Sequence, residues 1–257
     1  MKRLTPALLV LIALTCMSFM AKDSVKIRLK PQQGKTYTVT SKANMTTSMK
    51  VQGQTMNMSQ VMETRQTFTP TEVSDDQSVI ETQIEAIKMT LSQMGMKFEY
   101  DSEHPENTSP MIAGQTKEIE KSLKTTTTIT YDALGQIVGD GDLTNPLRDV
   151  ILQLPEEELS VGSKWSSNKS QTVSDVEVIA NMEYTVTAIN KKSIEVSFTG
   201  NVEASLVSGS YEGTGIIDPK TGILVSSTTN TSISMTVDAE DISIPMDMEA
   251  TTTVTVK

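Results

Sequence analysis

Methionine is the residue type with the most unusual chemistry here, 16 in 257 residues. Eight of them lie between Met45 and Met96. A thioether side chain is flexible and polarizable, so it suits irregular cores and adaptable binding surfaces alike. Met45, Met49, Met56, Met58, Met94 and Met96, together with Phe98, fall on faces that alternation reads as inward. These seven are the candidate lining of a site for a hydrophobic small molecule or lipid. The competing reading is core. With only four Phe and one Trp, something else must fill volume.

The remaining chemistry-bearing residues are sparse. His104 is the only histidine and sits in the polar Ser102-Glu103-His104-Pro105-Glu106. A Ser-His-Asp triad would have to use it, and no Gly-x-Ser-x-Gly elbow supplies a nucleophile. It reads as a solvated loop histidine. Gly139-Asp140-Gly141-Asp142 places two carboxylates on a turn but lacks the rest of an EF-hand. Glu156-Glu157-Glu158 reads as a solvated acidic face. Asp132, Asp140, Asp142 and Glu156 would serve a glycosidase only as a pair facing one cleft. One Cys and one His exclude a four-ligand zinc site, and one Cys excludes a disulfide framework. The expectation is no catalytic residue, no metal and no cofactor. A net charge of -10, from 22 basic and 32 acidic residues, argues against a nucleic-acid partner.

The N-terminus reads as an address. Met1-Lys2-Arg3 precedes an apolar run from Leu4 to Thr15, the pattern of a secretory signal over residues 1–18. The run is shorter than the roughly 20 residues of a membrane span, and no later stretch approaches that length. Cleavage after Ser18 is one option. The other is Ala13-Leu14-Thr15-Cys16 as a lipobox, with Cys16 lipidated and Thr15 departing from the usual small residue. Either way the expectation is an exported chain of the periplasm, the outer membrane surface or the medium, with no transmembrane helix in its mature part.

The body is built to alternate. It holds 36 Thr and 27 Ser, and Thr favours strands because its branched Cβ is stiff. Met45, Thr47, Met49 and Val51 share a face, and Met56, Met58 and Met62 return after Gln52-Gly53-Gln54, so residues 43–68 read as a hairpin. Met94, Met96, Phe98 and Tyr100 line another strand. A change of phase between Ile84 and Ile87 predicts a β-bulge near Ala86. Residues 176–188, 194–206, 233–237 and 242–248 alternate in the second half. Strands this long must twist and coil, which predicts a mainly β fold of long, curved antiparallel sheets, a half-barrel or open barrel. Helical signals are confined to 115–124 and to Thr144-Asn145-Pro146 leading through Leu147, Val150 and Ile151 to Leu154. Residues 101–116 read as a long loop.

Asp132-Ala133-Leu134-Gly135 and Asp218-Pro219-Lys220-Thr221-Gly222 both read as turns opened by Asp and closed by Gly. Tyr37-Thr38-Val39-Thr40 recurs as Tyr184-Thr185-Val186-Thr187. These echoes suggest two related β units, 19–138 and 166–257, joined through a connector at 139–165 and packed as one domain.

Three stretches carry a family resemblance: Leu29-Lys30-Pro31-Gln32-Gln33-Gly34-Lys35-Thr36-Tyr37, Tyr100-Asp101-Ser102, and Leu154-Pro155 leading through Val161-Gly162 to Trp165. In this order, behind a signal peptide, the chain resembles an uncharacterised family of exported β-rich bacterial proteins, a domain of unknown function. Ser163-Lys164 stands where an acidic residue is expected before the Trp. The resemblance implies no activity and no catalytic residues. The architecture is also similar to the half-barrels of periplasmic lipoprotein carriers. The functional expectation is a non-catalytic envelope protein that binds a hydrophobic ligand or lipid on a Met-rich concave face. The rival is a structural or assembly component that meets other envelope proteins.

Overall fold

The computed structural model describes residues 24–257 except 52, 113–115, 124, 140–146, 148–149, 174–175, 205–206 and 240–241. The signal segment, Cys16 and the Asp140–Asp142 turn lie outside the described residues. Eleven strands follow one another: β1 (Tyr37–Val51), β2 (Gln54–Val73), β3 (Gln77–Gln93), β4 (Met96–Asp101), β5 (Thr126–Asp132), β6 (Lys164–Val173), β7 (Val176–Asn190), β8 (Ser193–Ala204), β9 (Val207–Ile217), β10 (Leu224–Ala239) and β11 (Ile242–Val256). A 3-10 turn (Pro105–Asn107) and a short helix α1 (Thr116–Ser122) lie between β4 and β5. The sheet is antiparallel and open, in the order β4-β3-β2-β1-β11-β10-β9-β8-β7-β6. β5 pairs with the start of β3, on the edge where β4 pairs with its end.

The alternation is realised as expected. β1 and β2 form one long hairpin around Gly53, which takes a positive φ of 83°. The bulge falls at Glu85, where Arg65 opposes Ala86 and Gln66 opposes Ile84. β2 has 20 residues, about 66 Å at ~3.3 Å each. The first and last strands meet in mid-sheet, from Val39↔Val256 to Met49↔Met246. Both halves of the chain therefore share one hydrogen-bonded ladder. β6 begins at Lys164, so the stretch read as a connector ends inside a strand.

One end of this sheet is plugged. Val25 bridges Leu159, and Ile27 and Leu29 are fully buried with Leu147, Val150, Ile151, Leu152, Leu154 and Leu159. Onto them pack Val39 of β1, Phe68 of β2, Ile80 of β3, Ile129 and Tyr131 of β5, and Trp165 of β6. Tyr184, Val196, Ile217, Leu224 and Val254, from β7 to β11, complete the same cluster. Ten strands side by side would span roughly 45 Å if flat, far wider than this plug, so the sheet wraps its apolar face around it. Trp165 closes the β6 side. Its ring stacks on Tyr184 at 4.8 Å, and its Nε1 donates to the Gln153 carbonyl at 2.9 Å.

The helix expected to run from Thr144 to Leu154 is corrected in its described part. The Val150 and Ile151 amides bond the Leu147 carbonyl, one turn only. Leu154 then donates to Leu134, in extended chain. The helical spacing of apolar residues reflects burial on all sides in the plug, which demands oily residues whatever the backbone does. The 115–124 signal is realised as α1.

The two Asp–Gly turns fasten the plug. Asp132 Oδ1 accepts the amides of Leu134 and Gln136, and Asp218 Oδ1 accepts that of Lys220. Gly135 and Gly222 have φ of 77° and 69°. A Cβ on Gly135 would collide with the Leu152 carbonyl, and one on Gly222 would lie 2.5 Å from the Arg28 carbonyl oxygen.

A second, smaller cluster joins Phe98 and Tyr100 of β4 to Ile112, with Ile87, Met89, Leu91 and Ile119 of α1 packed against it. The Tyr100 hydroxyl is buried with no hydrogen-bond partner among the described residues, and burial, with Glu120 and Asp101 nearby, holds its pKa above the usual tyrosine value. Folding therefore favours the neutral phenol. That contribution is complete below the unfolded pKa and is lost as pH rises through the folded one.

Two predictions follow from the packing. On β9, a Cβ at Gly213 would collide with the Thr228 carbonyl oxygen and lie 2.5 Å from Cζ of Phe198. Gly213→Ala is expected to cost about 1–3 kcal/mol by urea denaturation. A loss below about 0.5 kcal/mol would show that both the ring and the β10 backbone give way at little cost. Tyr100→Phe removes an unpaired buried hydroxyl. It is expected to leave stability at pH 7 unchanged or higher and to flatten the alkaline limb of the stability curve above about pH 10. Marked destabilisation at pH 7 would contradict it.

Candidate functional site

Beyond the plug, the same face carries methionine. Register makes the rows explicit. Met56 opposes Met49, Met49 opposes Met246, and Met246 opposes Met235, across β2, β1, β11 and β10. The next row runs Met58, Thr47, Met248, Ile233 and the third Gln60, Met45, Ala250, Thr231. Met62 and Met89 face each other toward β3, and Met182 of β7 opposes Gly200. Each of these methionines is half-buried, whereas the residues at the plug are buried. Side chains under a second layer would be buried to the same degree as the plug residues. Among the described residues no second layer covers these methionines, so a face rich in methionine, interrupted by Gln60, Thr231 and the buried Thr47, remains in partial contact with solvent.

The seven expected lining residues divide. Met45, Met49, Met56 and Met58 share this face. Met96, 50% exposed, opens β4 on the same side, opposite Gln93. Met94 does not lie on a strand. It occupies the two-residue turn to β4 with φ of 51° and is 75% exposed. A tight hairpin there needs two positive φ values, at Met94 and Gly95. The alternating pattern ran through that turn without registering it. Phe98 is on the expected face but is 9% exposed beneath Ile112, so the second cluster covers it. Sequence reasoning did not assign Met62, Met89, Met182, Met235, Met246 and Met248 to the lining. Their alternation was visible. That β11 lies beside β1 was not.

The opposite face is polar and has hollows of its own. One of about 530 Å³ is lined by Asn44, Ser59, Ser210, Glu212, Asn230 and Thr251, among others. Another, also about 530 Å³, lies around Thr46, Ser48, Asn57, Asp247 and Glu249. They follow from the twist of long strands, which hollows both sides of a sheet. Hydroxyls, amides and carboxylates share their lining with Met45, Val61 and Ala250 in the first and with Met58 and Met94 in the second.

The other candidates are dispersed. His104 is exposed, with its Nδ1 3.3 Å from Glu106. Asp132 caps its turn, and Glu156 is exposed. Among the described residues, no three His, Cys, Asp or Glu side chains gather as a metal site. No described helix is long and apolar enough to cross a membrane.

Comparison with known proteins bears on the fold. A solved structure of lipid–protein interactions in lipovitellin is similar over 88% of this chain, with 12% identity and a TM-score of 0.52. The chain spans about a quarter of that one, 25%. An outer membrane channel from Pseudomonas putida F1 aligns over 89% of this chain and 98% of its own, at 9% identity and a TM-score of 0.28. An outer membrane lipoprotein-sorting protein domain from Vibrio parahaemolyticus aligns over 82% and 83%, at 9% identity and a TM-score of 0.17. The last two are too distant to carry an argument. No curated protein matches in sequence. Residues 110–257 match a family of unknown function, a range that includes the Leu154–Trp165 stretch. The chain, a β-rich protein with one open antiparallel sheet, belongs to that family, DUF6263.

Proposed function

We propose that this protein is an exported, non-catalytic carrier that holds an acyl chain on its methionine face. The observation that carries the reading is the face itself, with half-buried methionines on β3, β2, β1, β11 and β10 interspersed with Thr47, Gln60 and Thr231. Large apolar patches left in contact with water mark binding sites. Methionine side chains re-pack around ligands of varied shape, which suits a lipid tail better than a single rigid molecule. The face is plugged at one end, so a chain can lie along it with its head group at the open end. The basic-then-apolar N-terminus supports export. The likeness in fold to the lipovitellin structure, whose subject is lipid–protein interactions, adds support.

The experiment is uptake of a fluorescent fatty acid by the purified chain, with native mass spectrometry for co-purified lipid. Saturable uptake is expected. Met45→Glu with Met248→Glu places charge on the apolar face and is expected to weaken it about tenfold or more. Thr46→Glu, on the polar face, is the control and leaves it unchanged. No uptake by the parent chain, or equal loss in both variants, would overturn the reading.

A second reading has one observation behind it. β6 pairs only with β7, so among the described residues its other edge is open to a partner strand of an envelope protein. A photo-crosslinker at the exposed Asn168 would capture a specific partner in that case, and an empty yield would end it.

A further inference from the structure

Methionine is a weaker choice than Val or Ile for lining a strand, because β-branched side chains fit the pleat better. Its use in one lateral row of four adjacent strands asks for a property those residues lack. Flexibility is one such property, and the thioether sulfur is another, a soft neutral ligand that selects Cu(I) and related monovalent ions.

We infer that Met49, Met56, Met246 and Met235 form a binding site for a soft monovalent cation, Cu(I) or Ag(I), at the open end of the sheet. Met49 has a methionine directly opposite it on both sides, Met56 on β2 and Met246 on β11. Met246 likewise stands between Met49 and Met235. Directly opposed residues have Cβ atoms about 4.5–5.5 Å apart. A methionine side chain with three rotatable bonds spans that gap, so three neighbours can bring their sulfurs to one ion. All four are half-buried, placed between water and the apolar face. Neutral ligands suit a singly charged ion, and the chain's net charge of -10 favours approach of a cation.

This site does not depend on the acyl-chain reading, because leucine keeps the oil and removes the sulfur. The test uses the full chain carrying Cys16→Ser, so that its thiol cannot compete. Silver nitrate is the redox-inert probe, and Cu(I) is titrated anaerobically against a chromophoric chelator. With methionine methyls labelled with carbon-13, one equivalent of Ag(I) is expected to shift Met49, Met56, Met246 and Met235 and to leave Met111 and Met182 in place. Met49→Leu with Met246→Leu is expected to weaken silver binding about tenfold or more while leaving the melting temperature unchanged. Shifts spread evenly over all methionines, affinity no better than that of free methionine, or full binding by the double variant would each overturn the proposal. The methyl map on the parent decides the matter should the variant misfold. Absence of fatty-acid uptake by the parent chain, with intact silver binding, would count against the acyl reading alone.

Discussion

The backbone ladder between β1 and β11 makes one surface out of two meanders. It joins residues separated by nearly the whole length of the chain, with Thr38 and Lys257 exchanging amide and carbonyl bonds at its start. Each half without it would be a strip of hairpins carrying a few methionines. With it, the methionines of β1 and β2 come beside those of β10 and β11 in register, and the row exists. A pairing so distant in sequence closes a long loop, whose entropic cost grows only slowly with length. Eleven paired positions repay it.

Burial is divided unevenly along the strands. At the plugged end, aromatic and aliphatic side chains are buried by Val25–Leu29 and by the stretch around Leu147–Leu159. Each such burial contributes about 1.5–3 kcal/mol. The same strands run on past the plug with methionine, threonine and glycine on that face. This end is held chiefly by its ladder, the kind of region from which binding surfaces are drawn. The small cluster under α1 covers one corner, at Phe98 and Tyr100, and leaves the rest open.

Local structure was legible in the residues. The two-residue rhythm located the long strands, the phase change between Ile84 and Ile87 located the bulge, and the Asp–Gly pairs located their turns. Each is a short-range consequence of pleat or turn chemistry. Three things were not legible. Met94 continues the alternation, yet the backbone turns there. Leu147 to Leu154 imitate a helix because their segment is surrounded, and periodicity cannot tell that from an amphipathic face. The neighbourhood of β1 and β11 is a fact of topology, so Met235, Met246 and Met248 could not be assigned to the same surface as Met49 by any local pattern.

The polar side of the sheet carries a consequence of its own. Thr40, Lys42, Asn44 and Thr46 on β1 face solvent beside Thr253, Thr251 and Glu249 on β11 and Ser59, Val61, Glu63 and Arg65 on β2. A barrel that crosses a bilayer presents an apolar belt outward to the lipid, hides its polar side chains in the lumen and leaves no strand edge unpaired. This wall is turned the other way round. Its greasy side curls about its own stopper, its hydroxyl-rich side lies outward, and among the described residues no strand pairs with the outer edge of β6. Such an outer surface is made to be wetted.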